Sequence, residues 1–489
     1  MDQYAALAAS GDMGDYIYMA GYGGMSTKQA ILELGRSGGL LGLSSLAEQF
    51  APNLMKLGPQ IEFWKNQFGF DGDFYSASGQ VMEFDGYFSG IGIIMRWDEY
   101  EALGFPPIKN GEDWLNVVEQ MIEANPVNEH GQKRYAFSYF SEWGALTQAG
   151  HMGIMLSALD GNAAHYDYGG VAWFPFDNAI GMPLADPDSY VWEGMRLYNR
   201  ANQRGLLDPD YMTNTWDSIC EKSSADRVVS STWIWHYDEI NGRFAAAGEA
   251  KGWIDTYLDV PAIAMGASQP MGTDYYSHCI PASCRNPEAA MRFMDFLFSE
   301  DGMMVIFNGI EGVDWEYRDG EFVISDDMLA RRSSDTDWRL NTGAYKYHNM
   351  TGLGQSWIHS RTGQALWLRS FDPAALTPLQ QRQIAEYGLN HPDEIYKNIP
   401  KNALDLTVYS LLPVNEDPKI QDISNDIWNL MQTEAPLMLE AKTDAEFDAM
   451  VLAFIDEMLR LGYMDAWEVT KAAWREAYGQ LGINVKIIE

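Results

Sequence analysis

The segment 279–315 constrains the fold of this chain more strongly than any other part of the sequence. An extended run at 275–280 leads into it, and Asn286 and Pro287 then supply a side-chain cap and a suitable first residue for a helix. Four apolar residues follow at the spacing of one helical face: Ala290, Phe293, Met294 and Leu297. A shorter helix and a glycine-containing exit at 309–313 complete the segment. The pattern predicts a strand followed by a capped helix whose apolar face is buried against a sheet.

The length of the chain predicts two domains or lobes. A single hydrophobic core seldom serves a chain of 489 residues, and chains of this size usually divide. With 46% hydrophobic and 21% charged residues, the composition is that of an ordered globular protein.

The acidic charge argues against some classes of partner. With 33 basic and 69 acidic side chains, the formal net charge is −36, which repels nucleic-acid phosphates and anionic lipid surfaces. An acidic surface also serves as a simple solubility device of secreted proteins. Nucleic acid is therefore not an expected partner, and the charge does not by itself indicate a function.

Cysteine content and hydropathy give limited information on location. Cys220, Cys279 and Cys284 are too few for a disulfide framework, although a local 279–284 bridge stays open. No run of about 18 apolar residues predicts a membrane span, and no basic and apolar leader opens the chain. Because the chain opens within a predicted helix, we expect any targeting segment to lie upstream.

Predicted strands alternate with predicted helices along the chain. Strands are expected at 15–20, 91–95, 135–139, 228–235 and 253–265, and helices at 27–35, 97–103 and 186–204. Asn110 caps a further helix with an apolar stripe: Trp114, Val117, Val118, Met121 and Ile122. Thr443 and Glu446 form a capping box before a helix with another stripe: Phe447, Met450, Val451, Phe454 and Met458. This alternation predicts α/β lobes.

Motifs of common catalytic sites are missing from the sequence. It contains no phosphate-binding P-loop, no nucleophile elbow, no zinc-protease helix motif and no complete dinucleotide fingerprint. Asp71-Gly72-Asp73 begins like a calcium loop but lacks the later ligands, so it predicts an acidic turn. Neither a metal nor a cofactor is expected.

A glycoside hydrolase remains an alternative, because its chemistry needs only two carboxylates at a suitable separation. Asp238 and Glu239, which follow two tryptophans, form the most suggestive pair. Adjacent residues point apart on a helix or a strand, so this pair is a poor match to a single glycosidic bond. The start of a solvated helix explains the pair better.

The chain is rich in aromatic residues, with 17 Trp and 26 Tyr. Sugar rings present flat C–H faces that stack on aromatic planes. Trp233 and Trp235 end a predicted strand on the same face, and open α/β sheets place ligands at such strand ends. On composition alone, a ligand platform and a pair of core tryptophans explain these residues equally well.

Several motifs resemble those of the extracellular solute-binding proteins of bacterial ABC importers, in the sugar-binding family and its longer Gram-positive lipoproteins. The residues concerned are Asn286-Pro287-Glu288-Ala289-Ala290, Asp295-Phe296-Leu297 and Gly309-Ile310-Glu311-Gly312-Val313-Asp314-Trp315, which are similar to that family's NPEAA, DyL and yGiEGvdY motifs. Segments 9–15, 39–46, 94–104 and 440–477 match further motifs, so the resemblance spans nearly the whole chain. The chain departs from the pattern at Gly14, which replaces a proline, and at 130–133, which lacks an acidic run that can hold calcium.

The resemblance implies a two-lobed α/β fold of the type II periplasmic-binding-protein kind. It has mixed sheets flanked by helices, and a ligand cleft between lobes that close about hinges. With hinges near residues 95, 262 and 315, the first lobe takes 1–95 and returns at 262–315. The second lobe takes 96–261 and is completed by 316–489, which includes the C-terminal helices. The first strand of the first lobe is expected upstream of this chain.

The resemblance also implies where sugar binds. The predicted substrate-binding residues are Tyr22, Tyr87, Glu142, Trp143, Trp233, Trp235 and Trp357. Tyr22 follows the first strand, and the acidic–aromatic pair at 142–143 follows the first hinge. The resemblance therefore favours a ligand platform over a pair of core tryptophans at 233 and 235. Tyr87 and Trp357 are added from position and chemistry.

The function implied is that of a non-catalytic, monomeric receptor that captures an oligosaccharide and delivers it to the transmembrane subunits of an ABC permease. The resemblance places it at the extracellular face of the cell membrane, anchored by lipid through a cysteine upstream. A carbohydrate-active enzyme such as a glycoside hydrolase is the first alternative, since it would turn over polysaccharide. A peptide-binding receptor of the same fold is the second, and it would pair with backbone edges.

Overall fold

A computed structural model of the protein describes residues 10–20, 27–82, 91–162, 165–166, 170–174, 177–233, 237–256, 263–335, 337–368, 376–392, 394, 401–405, 407–415 and 417–488. The strands are β1 (Ile17–Ala20), β2 (Gly69–Phe70), β3 (Asp73–Phe74), β4 (Ala77–Gly79), β5 (Ile91–Arg96), β6 (His165–Tyr166), β7 (Ala172–Phe174), β8 (Ala179–Gly181), β9 (Ser230–Trp233), β10 (Trp253–Asp255), β11 (Ile263–Ser268), β12 (Thr273–Cys279), β13 (Trp315–Arg318), β14 (Glu321–Ile324), β15 (Lys401–Asp405) and β16 (Lys486–Ile488).

The α-helices are α1 (Thr27–Arg36), α2 (Ser44–Phe50), α3 (Gly58–Gln67), α4 (Trp97–Ala102), α5 (Gly111–Ala124), α6 (Thr147–Leu159), α7 (Tyr190–Gln203), α8 (Trp216–Ser224), α9 (Tyr237–Ala246), α10 (Pro287–Leu297), α11 (Glu300–Asn308), α12 (Asp326–Ser334), α13 (Trp338–Thr342), α14 (Pro378–Tyr387), α15 (Thr407–Ser410), α16 (Pro418–Glu434), α17 (Asp444–Arg460) and α18 (Tyr463–Gln480). Short 3₁₀ helices cover Leu54–Lys56 and Ala435–Glu440. Strands and helices alternate over most of the chain, which confirms the predicted α/β class.

The chain divides into two compact units, each with its own hydrophobic core. Unit 1 comprises Met1–Asp85, Ala267–Ala375 and Asp405–Val414. Unit 2 comprises Gly86–Gly266, Leu376–Leu404 and Asn415–Glu489. The division into two bodies that the length predicts is therefore present.

The two units differ from the predicted lobes in where 316–375 belongs. The sequence assigns this segment to the second lobe, yet Phe322, Ile324 and Met328 are buried in the core of unit 1. The β13–β14 hairpin continues directly from the 309–315 exit, so its apolar face is buried in the core that it reaches first. The first break falls at 85/86 rather than near 95. That the two lobes move about hinges remains a prediction. Residue 262, one of the predicted hinge positions, lies outside the described residues.

Unit 1 contains the segment 279–315, for which the sequence predicts a strand followed by a capped helix. Strand β12 lies between β1 and β4 and pairs antiparallel with both. Helix α10 then begins as predicted, because Asn286 Oδ1 accepts a hydrogen bond from Ala289 N–H at 3.1 Å and Pro287 is its first residue. The shorter helix α11 follows, with Ser299 as its cap. The predicted strand and both predicted helices are confirmed.

The buried face of α10 differs from the predicted face at one residue. Met291 has no exposed surface, whereas Phe293 is 47% exposed, so the prediction that Phe293 is buried is wrong. Each residue rotates the helix by about 100°, which puts Met291 and Phe293 on opposite edges of a face centred near Met294. The core covers the Met291 edge, and Phe293 packs against the ring of Tyr16 at 5.1 Å between centroids.

Two carboxylates of the 279–315 segment accept hydrogen bonds from the backbone. Asp295 Oδ1 accepts hydrogen bonds from Asn53 N–H at 2.6 Å and Leu54 N–H at 2.9 Å, which caps a 3₁₀ helix. Asp314 Oδ2 accepts a hydrogen bond from Ile310 N–H at 2.8 Å. A Cβ at Gly309, where φ is +91°, would lie 2.3 Å from that same oxygen, so the closed loop requires glycine there.

Unit 2 is organised around the antiparallel sheet β10-β5-β9. The predicted strand at 135–139 is extended and bridges in parallel to Val228 and Leu207, although it is too irregular to count as a strand. A second sheet, β16-β8-β7-β6, is mixed, since β16 runs parallel to β8 while the other pairs are antiparallel. The predicted mixed sheets are confirmed.

The predicted N-caps of unit 2 are present, but the capping box predicted at Thr443 is only half formed, because Glu446 Oε2 accepts from Lys442 N–H instead. Asn110 Oδ1 accepts a hydrogen bond from Asp113 N–H at 2.8 Å at the start of α5, whose predicted stripe is buried. Thr443 Oγ1 accepts a hydrogen bond from Glu446 N–H at 3.1 Å at the start of α17. The α17 stripe is buried at Phe447, Val451, Phe454 and Met458, while Met450 is only partly buried.

No disulfide joins Cys220, Cys279 or Cys284, so the 279–284 bridge that the sequence left open is not formed. Asp71 and Gly72 form the turn of the β2–β3 hairpin, as predicted for an acidic turn. Within the described ranges, no helix combines the length and the apolar character needed to cross a membrane.

Candidate functional site

Three tryptophans from separate segments of unit 2 meet in one cluster, which we call the indole cluster: Trp143, Trp216 and Trp233. The ring centroids of Trp143 and Trp216 are 5.0 Å apart, with planes inclined by 31°. Trp143 meets Trp233 edge to face at 5.6 Å, and Trp216 lies 6.2 Å from Trp233. Offset and edge-to-face contacts of this kind are the favourable arrangements of aromatic rings.

Each indole is placed by a different element. Trp233 is the last residue of β9, whose partner strand is β5. Trp216 is the first residue of α8, where Thr215 and Ser218 form a reciprocal capping box. Trp143 lies in the loop before α6, and its carbonyl accepts a hydrogen bond from Thr147 Oγ at 3.0 Å. The cluster therefore joins a strand end, a helix start and a loop.

Glu142 ties two parts of the cluster together. Its Oε2 accepts a hydrogen bond from the backbone N–H of Trp216 at 2.9 Å. A carboxylate at a helix N-terminus is favoured by the unpaired N–H groups and by the helix dipole. The side chain of Glu142 thus joins the loop that carries Trp143 to the first turn of α8.

The three indoles differ in exposure. Trp233 is 2% exposed, whereas Trp143 and Trp216 are partly exposed. Phe140, which is buried, packs on both of the partly exposed indoles, at 5.1 Å from Trp143 and 5.9 Å from Trp216. His151 of α6 contacts Trp233 with ring centroids 3.9 Å apart. Two indoles thus keep exposed surface above a buried aromatic support.

Helix α8 is held by an ion cluster around Lys222, in which Asp208 is fully buried. Lys222 Nζ donates to Asp208 Oδ2 at 2.6 Å, to Asp210 Oδ2 at 2.8 Å and to Asn214 Oδ1 at 2.8 Å. Burial opposes ionisation of Asp208, but hydrogen bonds from Lys222, Asn214 and Ser138 outweigh it and lower the pKa of that carboxyl. The charged cluster fixes the helix whose first residue is Trp216.

The structure brings together some of the predicted site residues. Glu142, Trp143 and Trp233 lie in or beside the indole cluster. Trp357 lies in unit 1, where its Nε1 donates to Glu300 Oε1 at 3.3 Å. Tyr22, Tyr87 and Trp235 lie outside the described residues. A sugar contact at any of the seven remains a prediction.

Sequence reasoning missed Trp216 and Phe140. Trp216 stands in no periodic apolar pattern, and the only local signal is the Thr215 cap that starts its helix. Phe140 closes an extended apolar run that indicates core and nothing more. Both residues reach the cluster through contacts between distant segments, which spacing along the chain does not reveal.

The described residues offer little sign of metal or paired-carboxylate chemistry. No group of three or more His, Cys, Asp or Glu side chains in the described ranges is arranged to hold a metal ion. Asp238 and Glu239 fall in the first turn of α9, which agrees with the predicted helix start.

Comparison with known proteins finds likeness in structure only. No protein-family model matches the chain, and neither does any curated protein. Among solved structures, the alginate-binding protein AlgQ2 without calcium ion is similar at a TM-score of 0.61 and 16% identity, covering 97% of this chain and 88% of that one. The Streptococcus pneumoniae ABC-transporter substrate-binding protein FusA in complex with kestose is similar at a TM-score of 0.61 and 16% identity, covering 98% and 91%.

An extracellular solute-binding protein from Bifidobacterium longum subsp. infantis is also similar, at a TM-score of 0.57 and 16% identity, covering 97% of this chain and 90% of that one. At these identities the likeness establishes the fold and leaves the ligand of this chain to be argued from its own site. These neighbours are binding proteins and not enzymes. The chain has the fold of the extracellular solute-binding proteins of ABC transporters, as its sequence motifs predicted.

Proposed function

We propose that the protein is the extracellular substrate-binding component of an ABC importer that captures an oligosaccharide and delivers it to the permease. The observation that carries the proposal is the indole cluster of unit 2, which presents two partly exposed rings on a buried aromatic base. The neighbours support it, since FusA was solved with kestose and AlgQ2 is named for alginate.

Roles within the cluster follow from exposure. Trp143 and Trp216 keep exposed surface, so we assign them the stacking contacts with sugar C–H surfaces. Trp233, which the sequence analysis placed in the same role, is 2% exposed and is assigned the support of Trp143. Hydroxyl groups of the sugar would be matched by hydrogen bonds from polar side chains, which supply selectivity.

Further parts of the proposal come from the sequence motifs. They are a monomeric protein, a lipid anchor through an upstream cysteine, an extracellular location and closure of two lobes about hinges. Light scattering tests the monomer, and small-angle X-ray scattering with and without bound sugar tests the closure. Reconstitution with the cognate permease, which should hydrolyse ATP faster when the sugar-loaded protein is added, tests delivery.

A glycan array followed by calorimetry on the best ligand tests the proposed function. Trp143→Ala and Trp216→Ala should each weaken binding by about 2 kcal/mol, roughly a 30-fold loss in affinity, because each removes one stacking face. Tyr317→Ala, which removes a 39% exposed ring of unit 1, serves as the control and should leave affinity unchanged.

Two outcomes would overturn the proposal. One is an array on which no glycan binds. The other is cleavage of the bound oligosaccharide, detected by chromatography after incubation, which would favour the glycoside hydrolase alternative. Unchanged affinity in both tryptophan variants would reject the indole cluster as the site while leaving a sugar receptor standing.

A further inference from the structure

A cavity lies beside the indole cluster, entirely within unit 2. It is small: the centre of a water-sized sphere can occupy about 40 Å³ of it. Most of its wall is aliphatic and includes Leu146, Leu184, Val191 and Met431. The indole of Trp428, from α16, contributes another apolar surface. A cavity of this size and lining has room for a small apolar substituent but not for a whole sugar ring.

The cavity and the indole cluster share a boundary. Gly144, which lines the cavity, directly follows Trp143 in the chain. His151 also lines the cavity, and its ring contacts Trp233 at 3.9 Å between centroids. A ligand stacked on the cluster would therefore have the cavity immediately beside it.

Gly144 keeps this boundary thin. Its φ is +120°, and a Cβ there would lie 3.0 Å from Thr147 Oγ and 3.0 Å from the Trp428 indole. Any larger residue would have to displace one of these neighbours or strain the backbone. The close approach of Trp428 to the loop that carries Trp143 depends on the missing side chain.

The lining of the cavity does not suit an unsubstituted sugar. Hydroxyl groups buried without partners cost about 1–3 kcal/mol each, and the polar lining side chains named by the structure are Thr147 and His151. The hydroxyl of Thr147 already donates to the carbonyl of Trp143. An apolar substituent carried by the sugar would instead gain about 0.8 kcal/mol for each buried methylene.

We propose that this cavity binds the acyl group of an N-acylated sugar, of which the N-acetyl group of an amino sugar is the smallest example. The inference rests on the proposed function and adds the ligand class: the sugar ring stacks on the indole cluster while its acyl group enters the cavity. Leu146, the residue before α6, and Trp428 both line the cavity.

The test uses pairs of oligosaccharides that differ only in the substituent at C2, such as N,N′,N″-triacetylchitotriose and cellotriose, which carry an acetamido and a hydroxyl group there. These pairs are included in the glycan array and then compared by calorimetry. The N-acetylated member of a pair should bind about fourfold more tightly or better, because the cavity buries the methyl group of the acyl substituent.

A matched pair of variants locates the effect. Leu146→Phe enlarges a partly buried leucine that lines the cavity, and Leu159→Phe makes the same change at the other end of α6, outside the cavity. Leu146→Phe should abolish the preference for the N-acetylated member and leave binding of the hydroxyl member unchanged. Leu159→Phe should preserve the preference. Thermal unfolding of each variant confirms that it is folded.

The inference and the proposed function fail in different ways. Glycan binding without a preference for the acylated member would overturn the inference alone, and so would a preference that survives in Leu146→Phe. The absence of binding to every glycan would overturn both. If Leu146→Phe fails to fold, the comparison of paired glycans with the unmodified protein still tests the inference.

Discussion

At the scale of single residues, Glu142 shows how one carboxylate acquires a role that its sequence position does not reveal. The sequence motif predicts it as a sugar contact, and the structure places its Oε2 on the N–H of Trp216. A carboxylate that accepts a backbone N–H at a helix start stabilises that helix by about 1 kcal/mol. Glu142 is therefore positioned to align Trp216 with Trp143, whether or not it also meets sugar.

Replacing Glu142 separates alignment of the indoles from sugar contact. Glu142→Ala removes the acceptor, so we expect a roughly fivefold loss of sugar affinity together with a changed circular dichroism of the coupled indoles in the sugar-free protein. Glu142→Gln keeps an oxygen acceptor and should restore both. An unchanged sugar-free spectrum in Glu142→Ala, with weaker binding, would show that the carboxylate acts on sugar alone.

His278 gives unit 1 a dependence on pH. It is fully buried in β12, and one ring nitrogen, Nδ1, lies 2.8 Å from the hydroxyl of Tyr16. Burial lowers the pKa of His278 from 6.5 to about 4. Because its pKa is lower in the folded chain, the unfolded chain binds more protons between these values. The stability from neutral His278 is present above pH 6.5 and is lost as pH falls towards 4.

The expected size of this effect makes it measurable. The shift from 6.5 to about 4 corresponds to about 3 kcal/mol of unfolding free energy. His278→Gln, which cannot gain the proton, should flatten the fall in stability between pH 6.5 and 4. Chemical denaturation at several pH values measures the slope, and equal slopes in both proteins would contradict the assignment.

At the scale of elements, helix α10 shows which part of a helix the sequence determines. Its cap and first residue are local chemistry, and both are formed as predicted. Its apolar face is set by the neighbours that cover it, and the sequence does not state which edge is covered. Met291 is therefore buried and Phe293 exposed, although both are apolar and both border the same face.

Two substitutions test this assignment of faces. Met291→Ala should lower the unfolding free energy by about 2–5 kcal/mol, because it leaves a cavity in the core of unit 1. Phe293→Ala should cost about 1 kcal/mol, mainly the contact with Tyr16. Thermal and denaturant unfolding measure both. A larger cost at Phe293 than at Met291 would restore the face predicted from the sequence.

Contacts between distant segments, which the sequence does not state, also limit how much of the candidate site could be predicted. Glu142 and Trp143 are adjacent in a motif, and Trp233 ends a strand of evident β composition, so each could be singled out. Trp216 joins them only because β9, α8 and the loop before α6 converge. The cavity at Gly144 was likewise invisible, since residues between 144 and 191 line it together with Trp428 and Met431 from a distant part of the chain.

At the scale of the whole molecule, the net charge of −36 affects which ligands approach the protein, in addition to the contacts that the candidate site makes. The contacts proposed at the indole cluster and the cavity are stacking and apolar contacts, which depend little on salt. The charge acts over the Debye length, about 8 Å at physiological ionic strength, and raises the free energy of any anionic ligand that approaches. Charge and site together favour a neutral oligosaccharide over an acidic one.

The salt dependence of binding tests whether the net charge and the site together favour a neutral oligosaccharide. Between 50 and 500 mM NaCl, the affinity for a neutral oligosaccharide should change by less than about twofold, because no net charge is screened. A uronic-acid oligosaccharide should bind more weakly than its carboxyl-reduced counterpart at low salt, and the difference should shrink as salt screens the repulsion from the protein. Calorimetry with this pair isolates the carboxylates, since the sugar skeleton is otherwise the same. Tighter binding of the acidic member at low salt would show that a local basic site outweighs the charge of the molecule.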